Sequence, residues 1–445
     1  MSEKKYWISS GMYTMLHRGL DFVLGFLGFM ILVRIFPQNT FGSWVLFITL
    51  TSIVDMARNG FIQNGLIRFL VGEFQQENAN IQTAALWLNT ALTSLFIILI
   101  WTTAPFLETF LNAPSLAEIL RIHCYILPVL IFHTHVMVVL QARGMFKAYF
   151  WAGIFKSVPF FGFIAVMYIF EKPLSLSMLA WTQNIAFVIA TLTALYQCKE
   201  QLIVSKFISA KWLKNVFHFG KYVFGTNLVS MLGNSLDKFL LGALLSPVQV
   251  AISNAAGRVL NFIEVPVNSV ASITYPKASE TAQKEDFKRM KYLYERSTGL
   301  MLFMTVPFFI LIMIFAKEII LFIAGEEYIE SVLFLRIIII IAILKPFDRQ
   351  AGVFLDAMGK PDLNFKLVFV TMITTLIFSL ILIPTVGLYG AAIGWVSALS
   401  LTVAIKQTII HRAIQARMWA SFYYAWRFLP DGFTILRGKF QKKLD

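Results

Sequence analysis

Seven basic side chains stand in the wrong solvent. Arg18, Arg58, Lys156, Lys238, Arg258, Lys345 and Arg349 each lie inside a helix-length run of apolar residues. A charge at the centre of a bilayer costs about 2.5–3.5 kcal/mol even on the gentlest insertion scale, so intramembrane charges mark substrate or ion paths, or pair with one another. A cationic lining suits an anionic cargo, and arginine suits it best because its planar fork meets anion oxygens in pairs. The acids nearby admit the other role. Asp21 is three residues from Arg18 and Asp55 three from Arg58, spacings at which a helix pairs opposite charges, while Arg349 is left to its neighbour Asp348 or to another helix. In "GNSLDKFLLGALLS" the adjacent Asp237 and Lys238 point about 100° apart on a helix, so one can face a cavity while the other reaches a neighbouring helix. Asp237, Glu264, Asp55 and Asp21 are the candidates for binding a coupling cation. His133 and His135, two apart, face opposite sides of a helix and are polar packing rather than a shared metal site. His17 has the same default, and no cofactor is expected.

The elements that must position these groups are membrane spans. The chain has 445 residues, 58% of them apolar and 15% aromatic, with a mean hydropathy of +0.71, more apolar material than a soluble surface tolerates. Hydrophobic runs predict twelve helices over 11–36, 40–66, 82–105, 117–141, 148–170, 177–197, 220–246, 249–274, 298–323, 331–358, 364–384 and 387–411. The net charge is +14, but its distribution is one-sided. Of 38 lysines and arginines, 26 fall on the N-terminal side of this topology, including Lys199–Lys221, Lys277–Arg296 and Lys406–Lys443; the opposite loops hold one, Lys172. That asymmetry puts both termini in the cytoplasm and leaves little for a nucleic-acid reading. Arg34, Arg121, Lys317 and Arg336 sit near helix ends, where they snorkel. Charged residues interrupt the N-terminus, which reads as a retained cytoplasmic end rather than a cleaved signal. The two cysteines, Cys124 and Cys198, supply neither a disulfide framework nor a metal site.

The chain repeats itself. Residues 120–150 and 335–365 align without gaps at an offset of 215, with ten of 31 positions identical, among them Arg121/Arg336, Phe132/Phe347, Ala142/Ala357, Gly144/Gly359 and Phe150/Phe365. These are the fourth and tenth runs, so the period is six helices. An even period predicts two lobes related by a pseudo-twofold axis along the membrane normal. The expected organisation is a lobe over 1–197, an inter-lobe cytoplasmic loop over 198–219, a second lobe over 220–411 and a cytoplasmic tail over 412–445. That tail, rich in aromatics and arginines, reads as an interfacial helix broken at Pro430. Prolines 128, 159, 266, 307 and 346 fall inside spans as candidate kinks. No phosphate-binding G-x-x-x-x-G-K-[ST] loop occurs, so a gradient or the cargo itself must supply the energy.

The stretches "FPQNTFGSWVLF", "SLDKFLLGALLSPVQVAISNAAGRVLNFIEVPVNSV", "YPKASE" and "LDAMGKPDLNF" resemble, in order and spacing, the polysaccharide-transport branch of the multidrug/oligosaccharidyl-lipid/polysaccharide (MOP) exporter superfamily. This is the O-antigen flippase type of lipopolysaccharide assembly, and the likeness covers most of residues 8–412. The turn "QVAIS" departs from the usual E-V-G-x-Y. The resemblance implies a V-shaped pair of six-helix bundles in the bacterial inner membrane. It implies movement of polyprenyl-pyrophosphate-linked sugars from the cytoplasmic to the outer leaflet by alternating access, and polysaccharide polymerase or assembly proteins as partners beside membrane lipids. It places pyrophosphate-binding residues at Arg18, Arg58 and Arg258, with Lys156, Lys345 and Arg349 extending the basic lining, and gives Asp237 and Lys238 to lobe architecture and cavity polarity. The alternatives are a multidrug exporter of the same superfamily, whose cavity favours acids and aromatics, and an enzyme, a membrane glycosyltransferase or polymerase, for which the outer loops are too short. A major-facilitator transporter needs a motif after the second span that "IRFLVGEFQQENAN" does not match.

Overall fold

The computed structural model describes residues 3–71 and 75–428. Side chains at 3–11, 14, 61, 64, 65, 68, 71, 75, 219–227, 230 and 234 are not described. The side chains of Lys4, Lys5, Arg68 and Lys221, together with Pro430 and the basic residues from Arg437 onward, therefore lie outside the described part of the chain. Every apolar run of the sequence falls on a helix or a helix pair. In order these are α1 (Glu3–Ile35), α2 (Gln38–Val71), α3 (Asn78–Phe110), α4 (Leu116–Cys124) with α5 (Leu127–Ala142), α6 (Phe146–Ile169) and α7 (Leu176–Cys198). There follow α8 (Ala210–Leu244), α9 (Pro247–Gln283), α10 (Phe287–Ala324), α11 (Ser331–Ile338) with α12 (Ile341–Ala357), α13 (Pro361–Val386) and α14 (Leu388–Ile414). A further helix, α15, covers 418–428.

The protein is an all-helical, multi-pass membrane protein. Among the described residues eight helices are long and apolar enough to cross a bilayer, and a ninth span arises if the α4–α5 pair, bent by 57°, is one crossing. The other long helices are more polar for their length. α9 has 37 residues but carries Arg258, Glu264, Lys277 and Glu280.

The internal repeat reappears as a repeated distortion. α4 ends and α5 begins around Tyr125 and Ile126, where the amides of Tyr125 and Ile126 bond three residues back, to Ile122 and His123. The same i to i−3 bonding occurs at Ile340 and Ala342 in the α11–α12 break. α4 starts at residue 116 and α11 at 331, and α5 ends at 142 and α12 at 357, each pair separated by the 215 residues of the sequence alignment. In the first copy the Ile122 carbonyl, which accepts from the Tyr125 amide, also accepts from Asn184 of α7 at 2.8 Å, using its second lone pair. Gly144 and Gly359, which end the two copies, have φ of 69° and 72°. A side chain is disfavoured in that left-handed conformation, which is why the repeat keeps glycine there.

The chain divides into two compact units, Met1–Ser235 with Ser246–Ala251 and Leu236–Leu245 with Ile252–Asp445. In the first, α6 packs on α1 and α7, and α5 on α2, α3 and α7. A core of Ile62, Leu66, Ile81, Val139, Ala152 and Trp212 closes one end. In the second, α14 packs on α10, α11, α12 and α13. α15 docks there too. The Arg417 amide donates to Glu295 at 2.9 Å, and Phe422 meets Phe347 at 5.7 Å between ring centroids. Trp419, Tyr423 and Trp426 remain exposed along the helix, a face of the kind that sits at lipid headgroup level.

The segment joining α7 to α8 is fastened rather than loose. α8 begins at Ala210, inside the stretch that the sequence assigns to a loop. Ser205 donates its amide to Thr83 at 2.8 Å, and Gln82 donates to the Gln201 carbonyl at 3.0 Å. Lys211 reaches Glu77 at 3.0 Å, and the Trp212 indole donates to the same carboxylate. These two partners hold the Glu77 carboxyl below its ordinary range. A depressed folded value means that the tie is complete above the free carboxylate value and is lost as pH falls through the folded one. Glu77→Ala is therefore expected to speed tryptic cleavage after Lys206 several-fold at pH 7. Wild type should stay protected down to the ordinary carboxylate range and open only in stronger acid. Equal cleavage rates for the two proteins at pH 7 would show that Glu77 fastens nothing.

Candidate functional site

The site lies within the first unit and is built from helical stripes. Asp55, Asn59 and Gln63 follow one another by single turns on α2, and His133, Met137 and Gln141 do the same on α5. Tyr149, Gly153 and Lys156 supply the facing stripe of α6, with His17 from α1 and Phe187 from α7. Residues four apart on a helix share a face, so the stripes converge on one cavity of about 280 Å³. Gly153 has a steric role here. A Cβ added to it would lie 1.8 Å from the His17 ring, so a side chain here would require that ring to move.

Charges at the cavity are matched. Asp21 accepts from the Ser157 hydroxyl, and its carboxylate lies 3.6 Å from His17 Nε2 and 3.7 Å from Lys156 Nζ. Arg18, three residues away, is exposed on α1. Asp55 lies on the lining, and Arg58 stands behind it. The guanidinium, with none of its surface exposed, meets Asp55 at 3.1 Å and donates to Thr93 at 3.0 Å and Asn89 at 3.5 Å. Asn89 in turn donates to the Ile131 carbonyl at 3.3 Å. Arg58 thus knits α2 to α3, and α3 to α5. His133 meets the Thr191 hydroxyl at 3.2 Å, while His135, on the other side of α5, meets Gln82 at 3.2 Å.

The second unit holds the remaining candidates. Lys345 pairs with Glu264 at 3.2 Å, half of whose side chain is exposed. Arg258 is half-buried on α9, Arg349 exposed on α12, and Asp237 and Lys238 half-buried on α8. Asp348 pairs not with Arg349 but with Lys406, at 2.6 Å. Lys406 corrects the sequence reading, which places it with the cytoplasmic loops. It is 2% exposed, because α14 runs on to Ile414. Sequence reasoning also passes over Asn59, Gln63 and Gln141, since uncharged amides barely disturb a hydropathy count. Their signal is the four-residue spacing of Asp55, Asn59 and Gln63.

Residues 31–333 match the family described as polysaccharide biosynthesis protein. The chain belongs to this family. Its relatives include the "probable low-salt glycan biosynthesis flippase" Agl15 of Haloferax volcanii. That protein is 25% identical over 203 residues, covering 46% of this chain and 42% of that one. Matches to the curated relatives span only 38–57% of those proteins' lengths. Among solved structures the family member's fold is that of the lipid II flippase MurJ, in an inward closed conformation (TM-score 0.75, 12% identity, covering 97% of this chain and 93% of that one). It is equally that of an inward-facing multidrug resistance MATE family transporter (TM-score 0.74, 16% identity, covering 88% and 94%). These neighbours are a flippase and a transporter, not enzymes, and at such identities they speak for the fold alone.

Proposed function

We propose that the protein is a flippase that carries a polyprenyl-pyrophosphate-linked oligosaccharide from the cytoplasmic to the outer leaflet for surface polysaccharide assembly. In this reading all twelve helical runs cross a cytoplasmic membrane with both termini inside. Lobes 1–197 and 220–411 alternate access about a pseudo-twofold axis. The observation that carries it is the polar cavity with Lys156 on its wall, enclosed by the apolar helices of a polysaccharide biosynthesis family member. Polar groups at such depth need a partner, and a sugar pyrophosphate needs shelter from hydrocarbon. Lys156, Arg18, Arg258, Lys345 and Arg349 meet the pyrophosphate as it passes, and Arg58 acts by holding Asp55 and the α2–α3 contact. Asp21, Asp55, Asp237 and Glu264 are the acids available to a coupling cation, and Lys238 adds cavity polarity beside Asp237.

The test is deletion of the gene in its native host, with lipid-linked oligosaccharide and surface glycan assayed together. The intermediate should accumulate on the cytoplasmic leaflet and surface glycan should fall. Wild type should restore it, whereas Lys156→Ala and Arg258→Ala should restore about tenfold less, the effect of losing roughly 1.4 kcal/mol of interaction. Unchanged glycan with altered sensitivity to cationic drugs would move the assignment to the multidrug branch.

A further inference from the structure

We infer that the cavity of the first unit is a saccharide subsite, taking one monosaccharide ring of the glycan by its hydroxyls; the inference rests on the flippase reading. Three observations carry it. The first is the lining, where the amides of Asn59, Gln63 and Gln141 and the hydroxyls of Thr134 and Tyr149 stand among charged, imidazole and apolar side chains. Asn59 presents a buried Oδ1 with no hydrogen-bond partner. Gln63 donates to Gln141 at 3.2 Å, which uses one hydrogen of the first amide and one lone pair of the second and leaves the rest of both to a ligand. A buried acceptor without a partner is costly, and a turn of the Asn59 amide into the cavity would let a ligand hydroxyl satisfy it.

The second observation is charge. Asp55 is neutralised from behind by Arg58, and Asp21 by Lys156. A dianion brought fully inside would meet the Asp55 carboxylate, and a cationic amphiphile would find both acids already engaged. A polyol suits the site better. It can donate to carboxylates and amide oxygens and accept from amide hydrogens, with no charge to desolvate. Lys156, about a third exposed, is shared between Asp21 and a phosphate carried next to the ring.

The third is size and shape. A volume of about 280 Å³ lies at the lower end of small-molecule pockets, roughly 300–1,000 Å³, room for a single ring rather than a chain. Tyr149 and Phe187 add aromatic walls to the polar stripes. Specificity follows from the same chemistry, because a site built to hydrogen-bond a hydroxyl rejects a ligand that lacks it.

The experiment measures binding of short-chain prenyl pyrophosphates to purified protein in nanodiscs. One probe is bare, and the others carry a single N-acetylglucosamine, glucose, galactose or uronic acid. At least one sugar-bearing probe should bind about tenfold more tightly than the bare one. Asn59→Leu and Gln141→Leu should each erase that advantage while leaving the bare probe unchanged. Thr134→Phe, which fills the cavity without removing an amide, should erase it as well, so that the result does not hang on one variant's folding. If the bare probe binds and no sugar adds affinity, or if the advantage survives all three substitutions, the subsite is overturned and the flippase reading stands. If neither bare nor sugar-bearing probes bind, the flippase reading falls and the subsite with it.

Discussion

Replacing Arg58 by alanine should cost the protein about 3 kcal/mol of stability, at the lower end of the roughly 3–5 kcal/mol for breaking a buried ion pair. The guanidinium is fully enclosed, so its removal strands Asp55 and takes a donor from Asn89 and from Thr93, which keep their bond to each other. The lower end applies because a third of the Asp55 side chain is exposed and water screens what remains of its charge. Arg58→Lys should recover part of the loss. An ammonium can meet Asp55, but it is a point charge and cannot fork to Thr93 and Asn89 together. The measurement is thermal unfolding of detergent-solubilised protein, followed by glycan restoration at a temperature where each variant is still folded. A positioning role predicts a lowered midpoint for both variants, larger for alanine, with transport by the folded fraction partly kept. If Arg58→Ala melts like wild type yet restores no glycan, the arginine is a substrate ligand and the network around it is incidental.

The contrast between Arg58 and Arg18 shows how far sequence carries. Both arginines sit three residues from an aspartate, and spacing alone gives them the same pairing. Only the first forms it, because α3 brings Thr93 and Asn89 behind α2 to hold the guanidinium in place. Asp21 turns instead to α6, where Lys156 and Ser157 meet it. Spacing along a helix says which side chains can touch, while the neighbouring helix decides which do. The same division holds for the fold. The apolar runs and their breaks locate the helices to within a few residues for most of the chain, since the bilayer imposes length and composition together. The glycines of the repeat foretell two positive-φ turns. The breaks at residues 125 and 340 are not foretold. "HCYILPV" offers Pro128 as a hint, but "IIIIIAIL" is featureless by hydropathy, and its turn tightens as the first copy's does although the side chains differ. The cavity is the least legible part. Its charged members stand out one by one, but the amides that give it its character become a site only when α2, α5 and α6 are packed together.

Lys406 makes the strongest case for tertiary structure overruling position in the chain, and it leads to the other large effect. The residue sits near the end of the last long apolar run, where a lysine is expected to snorkel outward. The structure turns it inward onto Asp348 at 2.6 Å with 3% of its side chain exposed. Beside it, Gln407 donates to the Tyr294 hydroxyl at 2.5 Å, so α14 is tied by polar contacts to α12 and to α10. Lys406→Ala should destabilise the protein by about 3–5 kcal/mol, since it leaves Asp348 largely buried without its counter-charge and opens a hole along α14. Lys406→Met combined with Asp348→Leu should behave very differently. It removes both charges, keeps most of the volume and escapes the desolvation penalty, so its midpoint should fall little or even rise. The two aspects of the pair then separate in one experiment. A double variant that is stable and fully active would make the ion pair a dispensable relic of packing. A double variant that is stable but restores no glycan would make the charge pair part of the transport cycle, opening and closing as the helices of the second unit move. Single and double variants equally unstable would mean that the destabilisation comes from lost side-chain packing along α14 and not from the stranded carboxylate.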